Sequence, residues 1–185
     1  YTLLLYGGNV WISPLMRQVT WDPVNDFAPV ALPVSAPHVI AVHPSLPVKS
    51  IADLIALAKA RPGQLNYAAN TAGSSTHLTG ELFKSIAGIN MTEVYYKETG
   101  NATNDALSGQ VPVMFNSLGT SVPHIKSGKL RLLAVTSLKR LPQFPEVPTV
   151  AEFYPGYESE GWASMAAPAG TPAEIINRLN REIDR

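Results

Sequence analysis

Residues 66–83 read NYAANTAGSSTHLTGELF, and how this stretch divides decides the fold. Leu65 to Ala69 is an apolar run of strand length. Asn70 to Thr76 is dense in small polar residues and contains Gly73. Beyond it Leu78, Leu82 and Ile86 recur at four-residue spacing, as in an amphipathic helix, and Gly88 stands where such a helix would stop. The stretch predicts a strand, a polar turn and a helix, which is half of a βαβ unit.

Working outward, the same alternation continues. Thr2 to Tyr6 is strand-like and is followed by Gly7-Gly8-Asn9, a turn or close-approach loop. His38 to His43 is a second apolar run, stopped by Pro44. Ser50 with Asp53 has capping-box spacing, Ile51, Leu54, Ile55 and Ala58 share one helix face, and Pro62-Gly63 ends the helix. Strands are expected at Glu93–Tyr96, Val111–Asn116 and Leu130–Thr136, with short helices at 101–108 and near 120–127. Trp162 to Ala167 is a further apolar run, and Thr171, Pro172 and Glu174 read as cap, first-turn proline and capping acid of a last helix. Strands alternating with helices imply an α/β fold with a largely parallel sheet. Leu141 to Pro155, with prolines at 142, 145, 148 and 155, is the expected linker.

Composition narrows the function classes. Of 185 residues 45% are apolar, enough for a sizeable core. Lys plus Arg number 14 and Asp plus Glu number 14, so no global field attracts nucleic acid. Cysteine is absent, which removes disulfides, thiol catalysis and thiolate metal sites. The chain opens inside an apolar run and closes inside a helical pattern, so it is expected to be a piece of a longer protein, truncated at both ends.

The polar cluster admits three chemistries. Ser74, Ser75 and His77 could be a nucleophile and base, but Gly73-Ser74-Ser75-Thr76-His77 lacks the second glycine of a nucleophile elbow and has no orienting acid. A phosphate loop needs a G-x-x-x-x-G-K-[ST] string, which does not occur. What remains is a helix start whose first N–H groups lack intrahelical acceptors and whose dipole favours an anion. Taken alone, the cluster reads more readily as a Ser/Thr cap for its own helix than as an anion cradle. Two further loops follow strands, at Tyr95-Tyr96-Lys97 and at Asn116-Ser117, and ligands of open α/β sheets gather at such strand ends. Histidines 38, 43, 77 and 124 show no metal-ligand spacing, and His38 and His43 read as structural.

These residues resemble the Bug-type extracytoplasmic solute receptors, the substrate-binding proteins of tripartite tricarboxylate transporters. The resemblance rests on Leu65-Asn66-Tyr67-Ala68, Gly73 to Leu78 and Gly80-Glu81-Leu82-Phe83. Asp26 to Val30, Tyr96-Lys97, Gly109-Gln110-Val111, Met114-Phe115 and Pro123 to Arg131 add to it. Leu133 to Ser137, Val147 to Glu152 and Ala167 to Pro172 complete the set, in family order. It implies a type II periplasmic-binding-protein-like α/β fold of two lobes with a ligand cleft, with 1–44 and 158–185 parts of lobe 1 and 45–157 lobe 2.

It further implies a periplasmic receptor, not an enzyme, monomeric and without cofactor. Such a receptor captures a small organic carboxylate (a di- or tricarboxylate, an amino-acid or an aromatic acid) for the membrane subunits of its transporter. The expected ligand contacts are Gly7, Gly8, Asn9, Gly73, Ser74, Ser75, Thr76, His77, Tyr96, Lys97 and Asn116. Two departures from the family pattern stand out: Asn116 where many relatives carry Asp, and Glu98 where glycine is usual. The alternative reading is a ligand-sensing regulatory domain of the same fold.

Overall fold

The computed structural model describes residues 2–184; Tyr1 and Arg185, which end the two terminal patterns, lie outside the described residues. The elements are β1 (Leu4–Tyr6), α1 (Asn9–Met16), β2 (Phe27–Val42), α2 (Ile51–Ala60), β3 (Asn66–Ala69), α3 (Ser75–Ala87) and β4 (Thr92–Tyr95). They continue as α4 (Thr99–Ser108), β5 (Val113–Ser117), α5 (Leu118–Lys126), β6 (Arg131–Val135), β7 (Glu160–Pro168) and α6 (Ala173–Ile183). The chain divides into two compact units: residues up to Ala36 with those from Gly161 on, and Pro37–Glu160.

The second unit carries the large core. Its strands lie in the order β6-β2-β5-β3-β4. β3 runs parallel to β4 and β5, while β2 runs antiparallel to both β5 and β6. The sheet is thus parallel except for one reversed strand. Side chains alternate between its faces as a two-residue period demands. Ile40, Val42, Tyr67, Ala69, Val113 and Phe115 pack with α2 and α3 on one side. Ala41, Ala68 and Met114 pack with Ala102 and Ala106 of α4 on the other. Helices on both faces are what parallel strands require, because each crossover must return over the sheet.

Local signals explain most element ends. Ser50 accepts from the Asp53 amide while Asp53 accepts from the Ser50 amide, so the capping box of α2 forms as spaced in the sequence. Gly88 closes α3 in the left-handed region. The inner face of α3, however, differs from the expected one. Phe83, Ala87, Thr79 and Gly80 are buried, whereas Leu78, Leu82 and Ile86 are at the surface. Small residues on the inner face let the helix approach the sheet closely. A β-carbon built on Gly80 would lie 2.8 Å from Tyr67 Cε2 and 3.2 Å from Phe115 Cδ2.

The proline-rich stretch is not a linker. Phe144, Val147 and Val150 are buried, Thr149 bridges Val135 of β6, and Arg140 clamps Glu152 and the Pro145 carbonyl. Four prolines stiffen a segment that packs along the second unit.

In the first unit the strand order is β1-β7-β2, with β1 and β7 antiparallel. Helix α1 begins directly after Gly8, where only a loop was expected. Pro14 inside it cannot donate to the Val10 carbonyl, and Trp21 Nε1 donates there instead at 3.4 Å. β2 is 16 residues long although Pro29, Pro33 and Pro37 punctuate it; all three precede His38–Val42, the stretch that pairs with β5 and β6. Pro172, not Thr171, stands at the start of α6; the Thr171 hydroxyl donates to the Pro168 carbonyl instead.

Candidate functional site

Three strand ends share one edge of the second unit with a residue from within β2. β3, β4 and β5 finish there, and because β2 is reversed, His38 opposite Ser117 lies at the same edge. After Ala69 the chain turns, with the Ser74 amide donating to the Thr71 carbonyl at 2.9 Å. Gly73 has φ 81°, a left-handed conformation that side chains disfavour. Ser74 is extended and accepts the His77 amide at 3.2 Å, so it caps α3.

That cap satisfies one orphan amide and leaves two. The N–H groups of Ser75 and Thr76 meet no acceptor among the described residues. Around them stand neutral groups: Ser74 Oγ lies 3.2 Å from Thr76 Oγ1, and Asn70 Nδ2 donates to Thr76 Oγ1 at 3.1 Å. Cap and cradle are therefore compatible readings of one cluster, since the Ser74 side chain serves the helix while the next two amides stay open.

His77 is buried and both its ring nitrogens are engaged. Nδ1 accepts the Gly73 amide at 3.1 Å, which leaves Nε2 to donate toward the Tyr95 hydroxyl at 3.2 Å. Tyr95 in turn donates to Glu93. His77 thus holds the turn rather than presenting a ring nitrogen outward.

The other expected contacts distribute unevenly. Tyr96 turns its hydroxyl onto Asp105 of α4 at 2.6 Å; burial and that carboxylate push its pKa up to about 12. Lys97 is exposed. Asn116 is buried, its Oδ1 accepting the Ser117 amide and its Nδ2 approaching Met114 Sδ. Gly7, Gly8 and Asn9 belong to the first unit, where a β-carbon on Gly7 would meet the Trp162 carbonyl at 3.2 Å.

Three residues that contact the cluster were not among the expected ligand contacts: His38, read as structural, Tyr95, quoted only as part of the second loop, and Thr79. His38 Nε2 lies 3.2 Å from Ser75 Oγ and Nδ1 lies 2.9 Å from Thr79 Oγ1. Burial lowers the His38 pKa to about 4, against the pull of Glu160 in the other direction. A serine beside an imidazole suggests nucleophile and base, yet this ring is too weak a base for that work. Its other nitrogen faces a hydroxyl and not a carboxylate. Among the described residues no cluster of three potential metal ligands occurs.

A family model described as tripartite tricarboxylate transporter family receptor matches residues 1–184. The chain belongs to that family. This receptor family comprises substrate-binding proteins and not enzymes. Protein BugT of Bordetella pertussis is 38% identical over 188 residues, covering all of this chain and 58% of BugT. Among solved structures, R. palustris Rpa4515 with adipate superposes with a TM-score of 0.93 at 38% identity, over 99% of this chain and 62% of the other. The periplasmic binding protein BugD gives 0.88 at 32% identity, over 99% and 62%. The fold is accordingly of the periplasmic-binding-protein type expected from the resemblance. The chain spans a little over half the length of these relatives.

Proposed function

We propose that the protein is a periplasmic receptor that captures a small organic carboxylate and delivers it to the membrane subunits of a tripartite tricarboxylate transporter. The observation that carries this reading is the pair of open amides of Ser75 and Thr76 at the start of α3. One carboxylate oxygen pair can accept both N–H groups, and the helix dipole adds to the attraction. The adipate held by the similar Rpa4515 supports the ligand class. In this reading the second unit is one lobe of the receptor and the first unit contributes to the other, with the chain passing between them in β2 and β7.

A thermal-unfolding screen of the full-length protein against mono-, di- and tricarboxylates, with sugars and inorganic cations as controls, tests the proposal. A ligand present at 100 times its Kd adds about 2.7 kcal/mol to the folded state and raises the midpoint. A shift with a sugar or a cation, and none with any carboxylate, overturns it.

A further inference from the structure

The hydrogen bonds around His38 have a definite direction. Thr79 Oγ1 lies 2.7 Å from the Ser75 carbonyl, which can only accept, so the single hydroxyl proton of Thr79 goes there. Thr79 Oγ1 must then accept from its other neighbours, the His38 Nδ1–H at 2.9 Å and the Ser159 hydroxyl at 2.6 Å. A neutral imidazole protonated on Nδ1 has a lone pair on Nε2. Ser75 Oγ–H, at 3.2 Å, donates to it.

Every donor and acceptor in the set is satisfied. The opposite tautomer, with the proton on Nε2, would require Thr79 to donate to Nδ1. It would leave Thr79 Oγ1 and the Ser75 carbonyl oxygen 2.7 Å apart with no proton between them. The depressed basicity of the buried ring keeps it neutral near pH 7 and so preserves this pattern.

We infer that His38 is a positioning residue that makes Ser75 a hydrogen-bond acceptor toward the site, selecting carboxylates that carry a hydroxyl or other donor beside the carboxylate. Ser75 is the half-exposed hydroxyl of the cluster; Ser74 and Thr76 are buried. Its proton goes to the buried His38, so its oxygen can only accept from any other group that reaches it. A carboxylate oxygen brought against it would meet repulsion, whereas a ligand hydroxyl would donate to it. The same residue thus offers a backbone donor and a side-chain acceptor, and the matching ligand has an acceptor and a donor on adjacent carbons. This rests on the carboxylate reading of the site.

Two measurements on the full-length protein separate the inference from that reading. Long-range proton–nitrogen NMR of the histidine side chains reports the tautomer directly. The expected result is Nδ1–H for His38, and an Nε2–H signal overturns the inference whatever the ligand. Calorimetric titration with succinate and with each enantiomer of malate reads the selectivity. The better-bound malate is expected to bind about tenfold more tightly than succinate, as one well-made hydrogen bond allows. Ser75→Ala should bring that ratio close to one, and Thr79→Val, which removes the partner that fixes the tautomer, should reduce it. Equal affinity for succinate and malate in the unaltered protein sinks the selectivity while the carboxylate reading stands. Binding of neither acid, nor of any other carboxylate, sinks both.

Discussion

The ring of His77 holds the backbone of Gly73: its Nδ1 accepts the glycine amide across four residues at 3.1 Å. The glycine is buried, and its N–H meets no other acceptor among the described residues. His77→Phe keeps the ring volume but strands that amide. We expect a loss of about 1–3 kcal/mol in stability, with carboxylate affinity falling as the turn loosens. His77→Asn, whose side-chain oxygen can reach the Nδ1 position, should lose less on both counts. Chemical denaturation and calorimetry check the order of the two variants; equal losses would show that ring volume, not the hydrogen bond, matters.

Stability should fall on acidification through a window set by His38. The unfolded chain takes up a proton below its ordinary pKa of 6.5, while the folded chain resists until about 4. Between those values the unfolded state binds more protons, so stability declines as pH falls from 6.5 toward 4 and this contribution then levels off. The full effect is on the order of 3 kcal/mol at most. His38→Gln, which cannot charge, should show a flatter profile over that window. Parallel profiles of parent and variant in urea titrations would contradict the assignment.

Gly80→Ala tests the close approach of α3 to the sheet. Alanine favours a helix over glycine by about 1 kcal/mol. Against this, the added methyl would sit 2.8 Å from Tyr67 and 3.2 Å from Phe115, two edge-to-face rings in the core. Overpacking of this kind costs about 1–3 kcal/mol, so net destabilisation is expected. A raised melting temperature would mean that the rings have room to give.

The two faces of α3 should respond differently to substitution. Phe83→Ala empties a fully buried site and should cost about 3–5 kcal/mol. Leu82→Lys, one residue earlier, changes a side chain that is 42% exposed and should stay within about 0.5 kcal/mol of the parent. A reversal of these magnitudes in denaturant unfolding would put the helix in another register.

Much of this was legible in the sequence, and the failures have physical causes. The β3-turn-α3 unit, the α2 capping box and the strand ends are local, written in residues within a few positions of one another. The inner face of α3 was not, because Leu78, Leu82 and Ile86 have the same spacing as a core stripe. The true core face mixes apolar Phe83 and Ala87 with Thr79 and Gly80, whose small size fits the sheet but carries little hydropathic signal. Proline punctuation hid the long β2, because Pro29, Pro33 and Pro37 read locally as breaks in a strand. The open amides of Ser75 and Thr76 follow from the helix start alone. The inward turn of the Ser75 proton does not, because His38 reaches it from 37 residues away.

That reach has a consequence for how the site comes into being. The turn and α3 can form from neighbouring residues, but the orientation of one hydroxyl depends on a closure of 41 residues, from His38 to Thr79. Non-local closures of this kind are slow steps in folding. Until His38 docks on Thr79, a chain that has already formed α3 has an anion-attracting helix start without the proton order that gives it discrimination.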